Sequence, residues 1–359
     1  MIELRGTALQ NLQEQLKQCR YVIIDEMSMI GRRQLSIIHQ RLCQARPDHA
    51  TEPFGGMSLV LVGDFGQLPP VGDTPLYVAD SKGILSNLGR AMYTEFTESV
   101  VLTEVMRQSG SDDAQIRFRQ ALLRLRNAAV TENDWQLFMT RTIESARVHR
   151  ENLTLFDEAI RLFSTVEEVA EYNVAYLRRL GRPIAYIKAI HNCAEAKKAS
   201  EDDAGGLHAS VVLCEGARVM LSSNLWTEQG LVNGSMGTIV AIPYRSGGPP
   251  DLPIAVVVHF DKYNGPTWEG ERCVPIAPIS RSWRTGNREM SRQQLPLKLA
   301  WAITVHKSQG LTLDRPVIDL GKKKFAVGLS FVALSRVKRL QDCLLQPFAF
   351  ERLKSLAKK

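Results

Sequence analysis

The stretch YVIIDEMSMIG, residues 21–31, decides how the chain is read. Four apolar residues, Tyr21 to Ile24, run directly into Asp25 and Glu26. A short apolar run ended by two adjacent carboxylates reads as a buried parallel strand that delivers acid to the rim of a sheet. The same design recurs in MSLVLVGDFGQLPPVGD, residues 57–73, where the second apolar run ends at Asp64, Phe65, Gly66 and Gln67. Between the two lies RRQLSIIHQRLCQAR, residues 32–46, with Leu35, Ile38 and Leu42 on one helical stripe. Strand, helix, strand is a βαβ unit and predicts a parallel sheet, an α/β fold.

Ligands of open parallel sheets sit at the carboxyl ends of the strands. Both acidic stretches therefore fall on one rim. Asp25 can hold magnesium-bound water there, and Glu26 can take a proton from an attacking water. Gln67 can donate to a phosphate oxygen while accepting from that water. An Asp-Glu pair alone reads better as the cap of a helix. Two such endings, each behind an apolar strand, point to phosphate chemistry.

The rest of the chain alternates in texture. YTEFTESVVLTEV, residues 93–105, reads as a third strand. The middle is mainly helical, with Phe118, Leu122 and Leu125 on one face and TEND, residues 131–134, as a capping box. AIRLFST, residues 159–165, reads as a strand. It is followed by a helix with Val166, Val169, Asn173, Leu177 and Leu180 inward and Gly181 as its stop. From about residue 211 short strands separated by Gly, Pro and Asn-Gly turns predict a small all-β barrel or sandwich. RSWRTGNREMSRQQ, residues 281–294, reads as a polar, basic loop, and α/β texture returns with a strand at RPVIDLG and a helix near 328–338.

Composition bounds the function. The 359 residues suit two to three domains, and 44% apolar with 23% charged residues is ordinary for a chain with a full core. No apolar run reaches the length of a membrane span, and the N-terminus lacks the pattern of a signal peptide. The six cysteines are scattered without a CxxC pair, which argues against a zinc site or disulfide framework and for reduced thiols in an intracellular protein. A net charge of +7 and a pI near 9.1 suit a polyanionic partner such as nucleic acid.

Six segments, VIIDEMSM, LVLVGDFGQLPPV, LTEVMRQ, GLVNGSMGTIVAI, LAWAITVHKSQGLTLD and GLSFVALSRVK, follow one another along essentially the whole chain. Together they resemble the successive motifs of the Pif1 family of superfamily 1 DNA helicases. The resemblance implies two RecA-like parallel-sheet motor domains with a small SH3-like insertion in the second, and ATP-driven 5′-to-3′ translocation on single-stranded DNA. It implies residues 1–105 as an incomplete first domain, 106–215 with 295–359 as the second, and 216–294 as the insertion. It assigns Asp25 to magnesium through water, Glu26 to the general base and Gln67 to sensing the γ-phosphate. Arg107 and Arg336 match arginines that reach the γ-phosphate, and Asp64 falls within the nucleotide set. Thr304, His306, Lys307 and Ser308 match a segment on the DNA backbone, although His306 alone reads equally as a structural histidine. Trp226 reads as a core residue rather than a base-stacking one. ATP and Mg²⁺ are the implied cofactors, single strands and duplex junctions the implied partners, and a monomer the implied state. A nuclear or mitochondrial place in repair, recombination or telomere maintenance is the expectation.

A phosphate loop, GxxxxGK[ST], is the missing element. Gly321-Lys322 is followed by Lys323, and Lys307-Ser308 is preceded by His306, so neither forms one. In the family that loop precedes VIIDEMSM, and the expectation is of a helicase without its N-terminal portion. A DNA-binding remnant without catalysis is the alternative; a nuclease or transposon component ranks last, because no added acidic cluster is present.

Overall fold

The computed structural model describes residues 3–80, 83–148, 153–267, 271–286, 288–321 and 328–354. Two compact units form, Met1–Glu151 with Ser308–Asp314 and Leu320–Lys359, and Asn152–Lys307 with Arg315–Asp319. No helix among the described residues is long and apolar enough to cross a membrane.

The first unit opens with α1 (Thr7–Leu16), β1 (Tyr21–Ile24), α2 (Arg32–Ala45) and β2 (Ser58–Leu61). β1 and β2 pair in parallel from Tyr21 opposite Ser58 to Ile24 opposite Leu61, as the βαβ reading predicts. Leu35, Leu42 and Ala45 of α2 close over Ile30, Phe54, Met57 and Leu76 to form the core. The strands are not buried on both faces. Side chains alternate across a strand, so one set packs on the core while Tyr21, Ile23 and Val60 stay exposed. α3 (Ile84–Thr94) takes the start of the segment expected to be a strand, and 95–105 pairs with nothing among the described residues. Its Val100, Val101 and Leu102 are exposed. β-branched residues favour a strand only where a neighbouring strand completes the ladder.

α4 (Asp113–Arg126) buries Phe118, Leu122 and Leu125, as their spacing predicts. α5 (Glu132–Met139) begins with the expected capping box, Thr131 and Asp134 bonding each other's backbone amides, and α6 (Ile143–Val148) follows.

In the second unit β3 (Arg161–Phe163) is followed by α7 (Val166–Arg179), which opens on a Thr165–Glu168 capping box. Asn173 and Leu177 of α7 are buried, but Val166 in its first turn is exposed. β4 (Ala185–Lys188), β5 (Ile190–His191), α8 (Ala194–Lys198) and β6 (Ser210–Leu213) lead into the β-rich region. There β7 (Arg218–Leu221), β8 (Met236–Ala241), β9 (Val256–Phe260), β10 (Cys273–Ile276) and later β13 (Leu297–Leu299) make a five-stranded antiparallel sheet in the order β10-β9-β8-β7-β13. Val219, Leu221, Ile239, Val256, Val258 and Phe260 are its buried face.

The basic stretch 281–294 is not a loop. It forms a hairpin, β11 (Ile279–Thr285) and β12 (Arg288–Gln294), because its alternate residues Met290, Arg292 and Gln294 point inward. Arg292 is buried and stays tolerable because its guanidinium donates to the carbonyls of Leu207, Ala196 and Ala199. Trp226 is likewise no core residue, being 42% exposed. β14 (Ala302–Thr304) and β15 (Val317–Ile318) both run parallel to β3 on its two sides. The chain then returns to the first unit, where α9 (Leu329–Leu334) lies near the predicted helix.

Candidate functional site

Both acidic strand ends lie in the first unit, and the turns after β1 and β2 are stitched together. Met27 N donates to Val62 O at 2.9 Å. Gly63 is needed at this crossing, since a Cβ there would lie 2.8 Å from Met27 N. Glu26 adopts φ 54°, ψ 44°, a left-handed conformation that costs a non-glycine residue on the order of 1 kcal/mol or more. Strain of this kind is kept where the surrounding bonds over-determine it, commonly at functional sites.

Asp25 is exposed at the strand end, and its Oδ1 accepts the Glu26 amide at 2.7 Å. Glu26 Oε2 accepts from Gln309 Nε2 at 2.6 Å. Gln67 presents a buried Oε1 that has no hydrogen-bond partner, and Gln309 Oε1 is in the same condition. Asp64 is differently engaged. Arg126 grips it, with Nη2 2.6 Å from Oδ1 and Nε 2.9 Å from Oδ2, and the Gly66 amide donates to it at 2.8 Å. Asp64 thereby shapes the loop that carries Gln67.

Arg107 donates from Nε to Thr312 Oγ1 at 3.0 Å and from Nη1 to Ser335 O at 3.2 Å. Arg336 is buried, with Nε 2.8 Å from Val332 O and Nη2 2.8 Å from Ser335 Oγ. Its Nη1 reaches Ser308 O and Leu311 O only at 3.4 Å. Burial first and the Arg107 charge second hold its pKa down to about 10, against the opposing Glu26 carboxylate. Arg107 is also lowered by burial and raised by Glu26. Glu26, Arg107 and Arg336, far apart in sequence, thus share one electrostatic environment. α9 approaches Gln67 so closely that a Cβ on Gly328 would lie 2.3 Å from Gln67 O.

Gln309, Arg126 and Thr312 escaped the sequence reading. Gln309 sits inside the quoted HKSQG segment, so its position was signalled. Nothing in the sequence marks Arg126, whose role follows from α4 packing beside the Asp64 loop.

In the second unit Thr304 ends β14, and its Oγ1 accepts the Lys307 amide at 3.3 Å across a 3₁₀ turn, His306–Ser308. Lys307 is exposed, while His306 is half-buried, and burial lowers its pKa and favours the neutral imidazole. Ser308 is fully buried. Lys307 therefore faces solvent and Thr304 is half-buried, whereas Ser308 lies in the interior. β14 is aligned by Asn173 of α7, whose Oδ1 accepts Ala302 N at 2.8 Å and whose Nδ2 donates to Ala302 O at 3.0 Å.

Comparison with known proteins points to one family. The family model for PIF1-like helicase matches residues 5–136. ATP-dependent DNA helicase PIF1 of Mus musculus is 32% identical over 340 residues, and that of Homo sapiens 33% identical over 339 residues. Each match covers 92% of this chain, which spans about half, 46%, of the relative's length. Among solved structures, Pif1 helicase from Candida albicans superposes with a TM-score of 0.74 at 25% identity, covering 97% of this chain and 79% of that one. A structure of two coordinating Pif1 helicases at forked duplex DNA gives 0.69 at 25% identity, covering 98% and 75%. The α/β fold with parallel strands is shared with these helicases, and the chain is similar to PIF1-like helicases along most of its length.

Proposed function

We propose that these residues form the phosphate-sensing and strand-gripping parts of an ATP-dependent DNA helicase that moves 5′ to 3′ on single strands and opens duplex junctions. The observation that carries the reading is the electrostatic coupling of Glu26, Arg107 and Arg336, in the same unit as a buried Gln67 oxygen with no partner. An orphaned buried oxygen fits a site built for a group with donors to offer, such as a water held against a phosphate. Asp25, exposed and bonded to its neighbour's amide, fits a magnesium ion that keeps most of its waters and takes few protein ligands. ATP with that ion supplies the energy when bound. Glu26, held by Gln309, accepts a proton from water. Arg107 and Arg336 offset negative charge, and the two 3.4 Å contacts of Arg336 are weak enough for a phosphate oxygen to displace. The names of the mouse and human relatives support the nucleotide and the DNA. The division into 1–105, 106–215 with 295–359, and 216–294 is our reading of the motor domains and insertion. A monomer acting in the nucleus or mitochondrion, in repair, recombination or telomere maintenance, completes the proposal.

Turnover needs a phosphate-cradling loop that these 359 residues do not carry. The test is therefore DNA-stimulated ATP hydrolysis by a protein holding both. Glu26→Gln should bind ATP and lose roughly 10²–10⁴-fold in rate, the usual worth of a general base. Arg336→Ala should lose about 10³-fold or more. Near-normal turnover by either variant overturns the assignment.

A further inference from the structure

Thr304 and Lys307 stand on the wall of a cavity of about 930 Å³ that lies wholly in the second unit. Lys298 shares that wall, so two ammonium groups from β13 and from the turn after β14 face one space. They are close enough for the Lys307 charge, after burial, to lower the Lys298 pKa, with Glu201 opposing. Ser222 also lines the cavity, is 8% exposed, and has an Oγ without any hydrogen-bond partner. A buried hydroxyl left unpaired in a cavity that also carries two cations is set for an acceptor that arrives from outside. Of the two acids on the wall, Glu201 is occupied, its Oε1 lying 2.5 Å from His208 Nδ1, and Asp202 is the other. α7 contributes apolar lining through Val166, Val169 and Val174.

We propose that this cavity takes one nucleotide unit of a single strand, its phosphodiester on Lys298 and Lys307 with Ser222 donating, and its sugar and base against the apolar lining of α7. The proposal rests on the reading that the turn after β14 touches single-stranded nucleic acid, and adds to it Lys298 and Ser222. A space of this size is typical of small-ligand sites and fits a nucleotide. A duplex, roughly 20 Å across, does not enter it, so the cavity selects for an unpaired strand. Among the described residues no Phe, Tyr or Trp lines the space, and its one ring, His208, is held by Glu201.

Fluorescence anisotropy of a labelled oligothymidylate with the monodisperse 359-residue chain, titrated across salt, tests this. Lys298→Ala should flatten the slope of log K against log salt by about 0.7, the value of one neutralised phosphate on a single strand, and weaken binding roughly fivefold at low salt. Lys298→Gln repeats the measurement if the alanine variant unfolds. Ser222→Ala should weaken binding severalfold while the melting temperature holds or rises, an outcome that a structural role for the hydroxyl would not produce. If Lys307→Ala weakens binding but Lys298→Ala, Lys298→Gln and Ser222→Ala match the parent, this inference is overturned and the strand-contact reading stands. If the folded parent has no salt-dependent affinity, both fall.

Discussion

Replacing Asn173 by Leu should destabilise the second unit by about 3–5 kcal/mol. Asn173 is 5% exposed on α7 and makes three hydrogen bonds with the chain before Thr304. They are Oδ1 from Ala302 N at 2.8 Å, and Nδ2 to Ala302 O at 3.0 Å and to Leu299 O at 3.3 Å. β14 is the outermost strand beside β3, and this side chain bonds an amide on its outer edge. The three bonds together are worth about 2 kcal/mol net, and stranding a buried amide adds about 1–3 kcal/mol. The total exceeds the typical mutational cost of about 1 kcal/mol. Among the described residues Trp226, Trp283 and Trp301 belong to the second unit and Trp135 to the first, so tryptophan fluorescence in urea reports chiefly on the second. At a slope of about 2 kcal/mol per molar, the midpoint should fall by about 1.5–2.5 M. Asn173→Asp keeps the acceptor but sets a carboxylate against two carbonyl oxygens, and should regain stability as the pH falls and it protonates. A Leu variant within about 1 kcal/mol of the parent would refute the clamp, because the Ala302 amide would then be satisfied by water from the cavity.

The 359 residues alone should show no DNA-stimulated ATP hydrolysis, and turnover that vanishes in Glu26→Gln would contradict this. Asp134 is raised by burial but lowered more by the Arg124 and Thr131 hydrogen bonds, so its folded pKa lies below its usual one. It therefore contributes stability above its unfolded pKa of about 3.9 that is lost as pH falls through the lower folded value. Asp134→Asn should flatten that acid limb in a pH series of melting temperatures, and an unchanged limb would exclude the pair as its source. Ile23→Lys, at a position 71% exposed, should cost no more than about 0.5 kcal/mol and raise solubility by charging the open sheet face. A large loss of stability would mean that this face is covered in the folded protein. Arg126→Ala should release the Asp64 loop, which faster amide exchange at Gly66 and Gln67 would report, while unchanged exchange would place the loop under other control.

The local elements were legible because their causes are local. The apolar runs at Tyr21–Ile24 and Ser58–Leu61, the stripe of Leu35 and Leu42, and the Thr131 and Thr165 capping boxes each act within a few residues. The acidic strand ends and the family motifs were legible for the same reason, each being a short contiguous string. Long-range satisfaction was not. Whether Val100–Leu102 makes a strand depends on a neighbouring strand, and whether Arg281–Gln294 is a loop or a hairpin depends on a pocket of carbonyls that accepts Arg292. Gln309 meets Glu26 across 283 positions, and Ser222 and Lys298 line one cavity only because β7 pairs with β13. Sequence alone thus determined the family resemblance, the α/β class and the list of chemical groups. Tertiary structure decided which of those groups are held, buried or left with an open valence, because desolvation and hydrogen-bond pairing are properties of the packed neighbourhood and not of the residue.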